Sequence, residues 1–244
     1  MAHVDVHEEL EFDEPTVVEG FPGAGLVGKI AADHLIDELG MEPYANVHCE
    51  GLPRVAVYDE SADLRTPVRL YASPADDVVV LRSDVPVAPD AAATVAQCLD
   101  GWLDEHDATP IYLSGLPEEK DDEPPTLYGV ATGDGFARLE AAGIDAPTEM
   151  GVVSGPTGAL LSRAVETGRT SVGLIVETDP RFPDPEAASV LLRQGIVPLV
   201  GVDVAVDELV DRAEEIREAR EKLARRMQEA GDESTRAQPL RMYQ

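Results

Sequence analysis

The most constraining feature of the chain is a strand, a glycine-rich turn and a helix within residues 16–39, TVVEGFPGAGLVGKIAADHLIDEL. Val17 and Val18 predict a short buried strand. Apolar residues then recur at helical spacing on one face, while acidic residues mostly point away from it; the apolar set is Leu26, Ile30, Leu35 and Leu39. A helix of this kind needs a sheet to pack against, so the unit indicates an α/β protein.

The turn itself has two interpretations. Gly23, Gly25 and Gly28 match the spacing G-x-G-x-x-G of dinucleotide-binding turns. In those turns the strand leads directly into the first glycine, and backbone N–H groups face a pyrophosphate. Here residues 20–22 intervene, and Pro22 has no N–H to donate. We therefore favour a turn that lets helix and sheet pack closely, with a phosphate cradle as the alternative.

Strands and helices alternate along the rest of the chain. The patterns predict strands at 45–50, 77–82, 109–113, 128–132 and 171–176, a hairpin formed by 52–60 and 66–72, and helices at 89–106, 135–142, 184–193 and 207–229. Residues 151–168 repeat the order of strand, Gly-Pro turn and helix, whereas 196–206 are apolar and remain unassigned. Such alternation predicts a three-layer α/β/α sandwich with a mainly parallel, mixed sheet. The predicted organisation is an acidic N-terminal segment (1–14), one α/β domain (15–206), a long C-terminal helix (207–230) and a flexible tail (231–244).

Charge is the strongest compositional signal. The 244 residues include 48 acidic and 19 basic side chains, for a net charge of −29, and the acidic residues are spread along the chain. Self-repulsion of this size is largely screened in molar salt, where the Debye length is about 3 Å. The composition predicts adaptation to a high-salt cytoplasm. It disfavours nucleic acid as a partner, because such binding requires a basic face.

Other features bound the location and the class of protein. The longest apolar runs fall short of the roughly 18 residues that a membrane span needs, so no membrane association is expected. The acidic N-terminus lacks the regions of a signal peptide, which predicts a cytoplasmic protein. Cys49 and Cys98 are far apart in sequence and predict neither a disulfide framework nor a metal-ligand cluster.

Polar residues follow several predicted strands. In open α/β sheets the ligand site lies beyond the carboxyl ends of the strands, which defines a candidate crevice of Gly23, Gly25, Ser83, Asp84, Ser154, Gly155, Glu177 and Asp179. The same residue types are also preferred at helix N-termini, so helix capping is an equally simple role, and the one we favour.

Specific catalytic signatures are missing from the sequence. Ser154 lies in GVVSG rather than in the G-x-S-x-G of a nucleophile elbow. The five histidines are scattered: His3 and His7 are predicted in a mobile N-terminus, and His34, His48 and His106 on helix surfaces or at strand ends. We therefore predict a non-enzymatic protein with no catalytic residues, no metal site and no cofactor.

The C-terminal region carries two further signals. In the predicted last helix an apolar residue recurs every seventh position, which indicates a narrow seam that packs on its own domain or on a second subunit; the seam consists of Leu209, Ile216, Leu223 and Ala230. The polar tail ends with Leu240, Met242 and Tyr243, although solvated tails normally lack apolar residues at the extreme terminus. An aromatic and an aliphatic anchor beside a terminal carboxylate suit insertion into a pocket.

Seven collinear motifs together resemble the archaeal proteasome assembly chaperone family. They are GFPGAGLVG (20–28), LPRVAV (52–57), SDVP (83–86), GLP (115–117), YGVAT (128–132), SGPTGALL (154–161) and ETDPRFPDPEAA (177–188). The resemblance covers about residues 15–229, and implies an α/β/α sandwich, homo-oligomers and ATP-independent help in assembling the 20S proteasome. In the wider group of proteasome-binding proteins a C-terminal hydrophobic–Tyr–X tail docks between neighbouring α-subunits, and Met242, Tyr243 and Gln244 match that tail. The apolar run at 196–206 departs from the simpler segment expected there.

Two hypotheses follow from the sequence. The first is a homo-oligomeric chaperone or adaptor that binds the α-subunits of the 20S proteasome, or their ring, through several C-terminal tails at once. The second is a binding protein or enzyme for a small, nucleoside-like molecule, held in the crevice at the strand ends.

Overall fold

An eight-stranded mixed sheet forms the centre of the computed structural model, which describes residues 3–7, 9–58, 62–118, 124–181, 183–207 and 209–211. Its strands are β1 (His3–Val6), β2 (Thr16–Gly20), β3 (Glu42–His48), β6 (Val68–Ser73), β7 (Val78–Ser83), β8 (Thr109–Pro117), β9 (Leu127–Thr132) and β10 (Ser171–Thr178). They lie in the order β1-β3-β6-β7-β2-β8-β10-β9. The central β7, β2, β8 and β10 are parallel neighbours, and antiparallel pairs flank them.

Helices cover both faces of this sheet. On one face lie α1 (Val27–Glu38), α3 (Gly135–Ala142), α5 (Pro185–Val190), a π-helical turn (Leu191–Ile196) and α6 (Val197–Val200). On the other face lie α2 (Ala92–Glu105) and α4 (Gly155–Thr167). Each face has its own apolar core: Leu35, Leu174 and Leu191 are buried in the first, and Leu99 and Trp102 in the second. The predicted three-layer α/β/α sandwich is confirmed.

The N-terminal segment departs from the prediction of a mobile end. His3–Val6 form strand β1, which pairs antiparallel with β3 at the edge of the sheet. His3 stacks on His48, with ring centroids 5.1 Å apart, and Leu10 and Phe12 pack on the core of the α2 face. The sheet therefore begins within the segment that the sequence assigned to an acidic extension.

The predicted hairpin of residues 52–60 and 66–72 is wrong in its pairing. The second of these stretches forms β6, which pairs with β3 and β7 inside the main sheet. Only a short two-stranded arm joins β4 (Val57–Tyr58) to β5 (Leu64–Arg65). The apolar β6 is buried along its length, so it finds its partners in the sheet core.

The unassigned apolar run after α5 is part of the core. Ile196, Leu199, Val204 and Val206 are buried on the α1 face. His34 on α1, predicted to lie at a surface, is also buried, and its Nε2 lies 2.5 Å from the carbonyl oxygen of Ala205. The long helix predicted for 207–229 and the tail that follows lie outside the described residues, apart from 207 and 209–211.

The two cysteines, whose spacing predicted no disulfide framework, form a disulfide. Cys49 follows β3 and Cys98 lies on α2, and their Cα atoms are 5.9 Å apart although the residues are 49 positions apart in sequence. The bond ties the antiparallel side of the sheet to the helix above it. Two distant cysteines in a long chain give no indication of this contact, because only the fold brings β3 and α2 together.

Candidate functional site

The glycine-rich turn after β2 is packed against the end of β10. Gly25 is buried with φ +60°, and a Cβ atom there would lie 2.0 Å from Oγ1 of Thr178. The carbonyl oxygen of Gly25 also accepts a hydrogen bond of 2.8 Å from the backbone N–H of Asp184. This space is filled by protein atoms, so the geometry favours the packing interpretation over the phosphate cradle.

Beside the turn, Glu19 is a fully buried carboxylate on β2. It accepts hydrogen bonds from the backbone N–H groups of Phe21 (2.7 Å) and Leu113 (3.3 Å). Its Oε2 also accepts one from the hydroxyl of Thr157 on α4 (3.0 Å). Burial raises the pKa of Glu19 to about 7, although all three donors lower it. Glu19 thereby links the end of β2 to the first turn of α4.

An open cleft of about 920 Å³ adjoins this link. Its walls are the end of β8, the first turn and exposed side of α4, and the segment 147–154, which forms neither helix nor strand. Its floor is the exposed part of β9 and β10. Three residues of the predicted crevice, Gly23, Ser154 and Gly155, line this cleft together with Ser114. The volume falls within the range of ordinary ligand pockets.

Ser83 and Asp84 lie elsewhere. Ser83 is buried and donates its hydroxyl hydrogen to the carbonyl oxygen of Val85 (2.6 Å), which closes a turn. Asp84 lies in an ionic cluster, 2.6 Å from Nη2 of Arg69 and 3.3 Å from Nη2 of Arg82. These two predicted crevice residues therefore stabilise the β6–β7 end of the sheet and do not reach the cleft.

The last two predicted crevice residues lie at the end of β10: Glu177 is inside the strand and Asp179 follows it. Glu177 accepts hydrogen bonds from the backbone N–H of Thr126 (2.9 Å) and the hydroxyl of Tyr128 (3.0 Å). Partial burial opposes ionisation, but these donors lower the pKa of Glu177 overall. Asp179 binds the guanidinium of Arg181, with Oδ1 3.0 Å from Nε.

Helix capping, the role that we favoured, occurs next to the predicted residues. Asp184 caps α5, because its carboxylate accepts a hydrogen bond of 3.1 Å from the backbone N–H of Ala187. It also accepts one from the hydroxyl of Thr178 (2.9 Å). By contrast, Ser154 precedes α4 without a side-chain capping bond. The structure thus places the predicted crevice residues in the cleft, at the β6–β7 end of the sheet and at the end of β10, where Glu177 contacts the cleft through Tyr128.

Within the residues that the structure describes, no group of three or more His, Cys, Asp and Glu side chains could hold a metal ion. His106 stacks on Trp102 with ring centroids 4.2 Å apart. None of the helices in the described residues is long and apolar enough to cross a membrane.

Some residues of the site escape sequence reasoning. Met150 and Val152, beside the cleft, are fully exposed, and Val165 on α4 is largely exposed. The sequence predicted residues 151–154 as the start of a buried strand, but they form none. The sequence offered one signal for Glu19: it is the single charged residue inside the apolar stretch TVVEG. The proposed docking residues Met242, Tyr243 and Gln244 lie outside the described residues.

Fold and site together define an α/β/α protein with an open cleft at the carboxyl end of its parallel strands. The model of the PAC2 family matches residues 17–224, which is most of the chain. The chain belongs to the PAC2 family, and the resemblance found in its motifs is confirmed.

Solved structures and a sequence relative agree with this assignment. The chain is similar to Pyrococcus furiosus PbaA, described as an archaeal homolog of proteasome-assembly chaperone, with 26% identity and a TM-score of 0.80 over 95% of this chain and 96% of that one. Pyrococcus furiosus PbaB, described as an archaeal proteasome activator, shares the fold with a TM-score of 0.79 at 23% identity, over 91% of this chain and 98% of that one. An uncharacterised protein of Methanocaldococcus jannaschii is 29% identical over 212 residues, 85% of this chain and 82% of that protein.

Proposed function

We propose that this protein is a homo-oligomeric, ATP-independent chaperone or adaptor of the 20S proteasome. In this proposal it binds the α-subunits or their ring through the C-terminal tail Met242-Tyr243-Gln244. The observation that carries the proposal is the family match over residues 17–224, together with the likeness to PbaA along nearly the whole of both chains. The protein acts by binding rather than by catalysis, and it works in the cytoplasm.

The chemistry of the tail supports this role. Met242 and Tyr243 can enter an apolar pocket while the terminal carboxylate accepts hydrogen bonds from a lysine or from backbone N–H groups. In molar salt the ionic part weakens and the apolar part dominates. Several tails on one oligomer gain avidity, so each tail needs only modest affinity.

The structure lacks, among the described residues, the arrangement that the small-molecule alternative expected. It required the polar strand ends to meet in one crevice, but Ser83, Asp84 and Asp179 lie away from the cleft that holds Gly23 and Ser154. We therefore do not propose it as the function.

Co-sedimentation with the cognate 20S particle and with isolated α-rings, in molar KCl, tests the proposal. We compare the full chain with a chain that lacks residues 242–244 and with Tyr243→Ala, and we expect both changes to abolish binding. Gln244→Ala is the matched control, because the last position of the motif accepts any residue, and it should bind like the unchanged protein. Binding that survives removal of the tail, or absence of binding by the full chain, would contradict the proposal.

A further inference from the structure

The disulfide lies at the base of an exposed loop. Cys49 is the first residue of loop 49–56, which leads from β3 to the arm formed by β4 and β5. Cys98 on α2 ties that first residue covalently to the helix. Residues 50, 51 and 54–56 are exposed. The bond therefore joins α2 to a part of the chain that stands in solvent.

A close backbone contact also holds the loop near α2. Gly51 has φ +94°, and a Cβ atom there would lie 2.7 Å from Cβ of Ala91, the residue before the helix. The backbone N–H groups of Leu52 and Val55 donate hydrogen bonds to the carbonyl oxygens of Cys49 (3.3 Å) and Pro53 (3.0 Å), within the loop itself. These bonds shape the loop, so its attachment to α2 depends on the disulfide and on the contact of Gly51.

The two sulfur atoms differ in their exposure. Cys49 is 8% exposed and belongs to the core of the α2 face, whereas Cys98 is half-buried and packs against that core. A disulfide is cleaved only when an attacking thiolate reaches one of its sulfur atoms. The sulfur of Cys98 is the one that a reductant reaches, and Cys49 is then the leaving group.

The surroundings of the bond indicate its role. Disulfides of cytoplasmic proteins are usually transient, catalytic or redox-sensing, and structural ones serve mainly small secreted domains that lack a sufficient core. This chain has an apolar core on each face of its sheet. Loss of the bond therefore affects a loop and leaves both cores packed.

We propose that Cys49–Cys98 is a reversible thiol–disulfide exchange site, which a dithiol reductant opens by attack on Cys98. A thiolate of the reductant bonds to Sγ of Cys98, the S–S bond breaks, and Cys49 leaves as a thiolate that takes up a proton. The second thiol of the reductant then displaces Cys98, so the protein gains two electrons and the reductant becomes a disulfide. The inference rests on the proposed function only through its cytoplasmic location, and it does not require proteasome binding.

Opening the bond changes how the loop and the arm are held. Val55 in the loop is 49% exposed, and Tyr58, which faces Leu64 across the arm, is 77% exposed. A segment with few buried contacts opens locally once a restraint is removed. Reduction therefore loosens loop 49–56 and alters how these apolar side chains are presented.

Counting thiols in the folded protein tests the exchange reaction. The full chain is oxidised with diamide in molar KCl, incubated with reduced dithiothreitol and alkylated without denaturant. The sequence contains two cysteines, so mass spectrometry of the intact chain reads the state of this disulfide directly. We expect both thiols to become alkylated while the circular dichroism spectrum stays that of the folded protein.

Single variants test which sulfur is attacked. Cys49→Ser leaves the thiol of Cys98, and Cys98→Ser leaves that of Cys49. We expect the thiol of Cys98 to react with Ellman's reagent at least roughly 10-fold faster than that of Cys49, because access limits the reaction.

Limited digestion with trypsin tests the effect on the loop. Trypsin cuts after arginine, and Arg54 is exposed in loop 49–56. We expect cleavage after Arg54 to be at least roughly 10-fold faster in the reduced chain than in the oxidised chain. Cleavage after Arg138, on α3 at the other face of the sheet, is the internal control and should be equal in both.

The double variant Cys49→Ala/Cys98→Ala is the matched control for the reductant. It should be cleaved after Arg54 like the reduced chain, and dithiothreitol should not change its cleavage. The comparison of the reduced and oxidised unchanged chain gives the same information if this variant does not fold.

Four results would overturn the proposal: thiols that stay free after diamide, a disulfide that dithiothreitol opens only on unfolding, equal cleavage after Arg54 in both states, or a thiol of Cys49 that reacts faster than that of Cys98. Proteasome binding is measured separately through the tail, so failure of one proposal is distinguishable from failure of the other.

Discussion

The segments 20–28 and 151–158 each contain a turn with glycine and proline before a helix, and their surroundings are opposite. The first follows β2, which is hydrogen-bonded to β7 on one side and β8 on the other. Phe21 is only 2% exposed and Gly25 is buried in its turn. The second segment follows no strand, and Val152 within it stands in solvent.

The comparison shows that two valines before a turn with glycine and proline form a strand only if a neighbouring strand of the sheet is free to pair with them. A strand needs backbone partners along its edges. In this sheet β8 already lies between β2 and β10, and β9 pairs with β10 as the edge strand. Residues 151–154 pair with none of these strands and lie outside the sheet, with Val152 in solvent.

The largest expected effect comes from two of the glycines with positive φ, one in each segment. Gly25→Ala adds a methyl group 2.0 Å from Thr178 Oγ1 at φ +60°. Gly155→Ala has φ +70° and no atom within 4 Å of the added group. We expect a loss in the free energy of unfolding of about 4 kcal/mol for the first, from strain and overpacking together, and about 1 kcal/mol for the second, from strain alone.

Chemical denaturation of both variants in molar KCl measures this contrast. Equal losses at the two positions would mean that the first turn is no more tightly packed than the second.

A pair of methionines gives the next largest contrast. Met41, just after α1, is 6% exposed, whereas Met150 is fully exposed. We expect Met41→Ala to lower the free energy of unfolding by about 3 kcal/mol, because it leaves a cavity in the core. Met150→Ala should change it by less than about 0.5 kcal/mol. Thermal and chemical denaturation at a protein concentration that keeps the chain monomeric check both values, and a loss above 1 kcal/mol at position 150 would show that segment 147–154 packs on its own chain.

The third prediction concerns Glu19, which joins the two segments. Its pKa in the folded protein, about 7, is above the ordinary value of 4.5. Below about pH 4.5 Glu19 is protonated in both the folded and the unfolded state, so its burial does not lower the free energy of unfolding. As the pH rises from there through 7, the free energy of unfolding falls by up to about 3 kcal/mol. Gln does not ionise, so the unfolding free energy of the unchanged protein relative to Glu19→Gln should fall by that amount between pH 4.5 and 8. Denaturation at several pH values tests this, and a constant difference would contradict it.

The smallest expected effect is at Thr157, whose hydroxyl bonds Glu19 across the same junction. Thr157→Val keeps the shape and removes one donor, so we expect a loss of about 1.5 kcal/mol at pH 8, where Glu19 is ionised. At pH 4.5 the loss should be smaller. Thr157→Ser keeps the hydroxyl and serves as the control. An equal loss for both substitutions would place the role of Thr157 in packing instead.

Local patterns allowed much of the fold to be predicted. The helix 135–142 matches α3, and the strands at 77–82 and 128–132 match β7 and β9 within one residue. The candidate site was less predictable. Asp84 and Gly23 follow parallel strands that end at the same edge, as expected, but their side chains serve different neighbours on that edge. Spacing in the sequence gives the edge of the sheet on which a residue lies, and it does not give the side-chain contacts made there.

By itself the sequence determined the α/β class, most of the described strands and helices, and the family, because these depend on periodicity and on short motifs within neighbouring residues. Only the tertiary structure decided that Cys49 meets Cys98, that the N-terminal residues complete the sheet, and that Glu19 is buried beneath α4. It also left Met150 and Val152 in solvent beside the cleft. Each of these results depends on which distant elements become neighbours, and that is fixed by packing the whole chain at once.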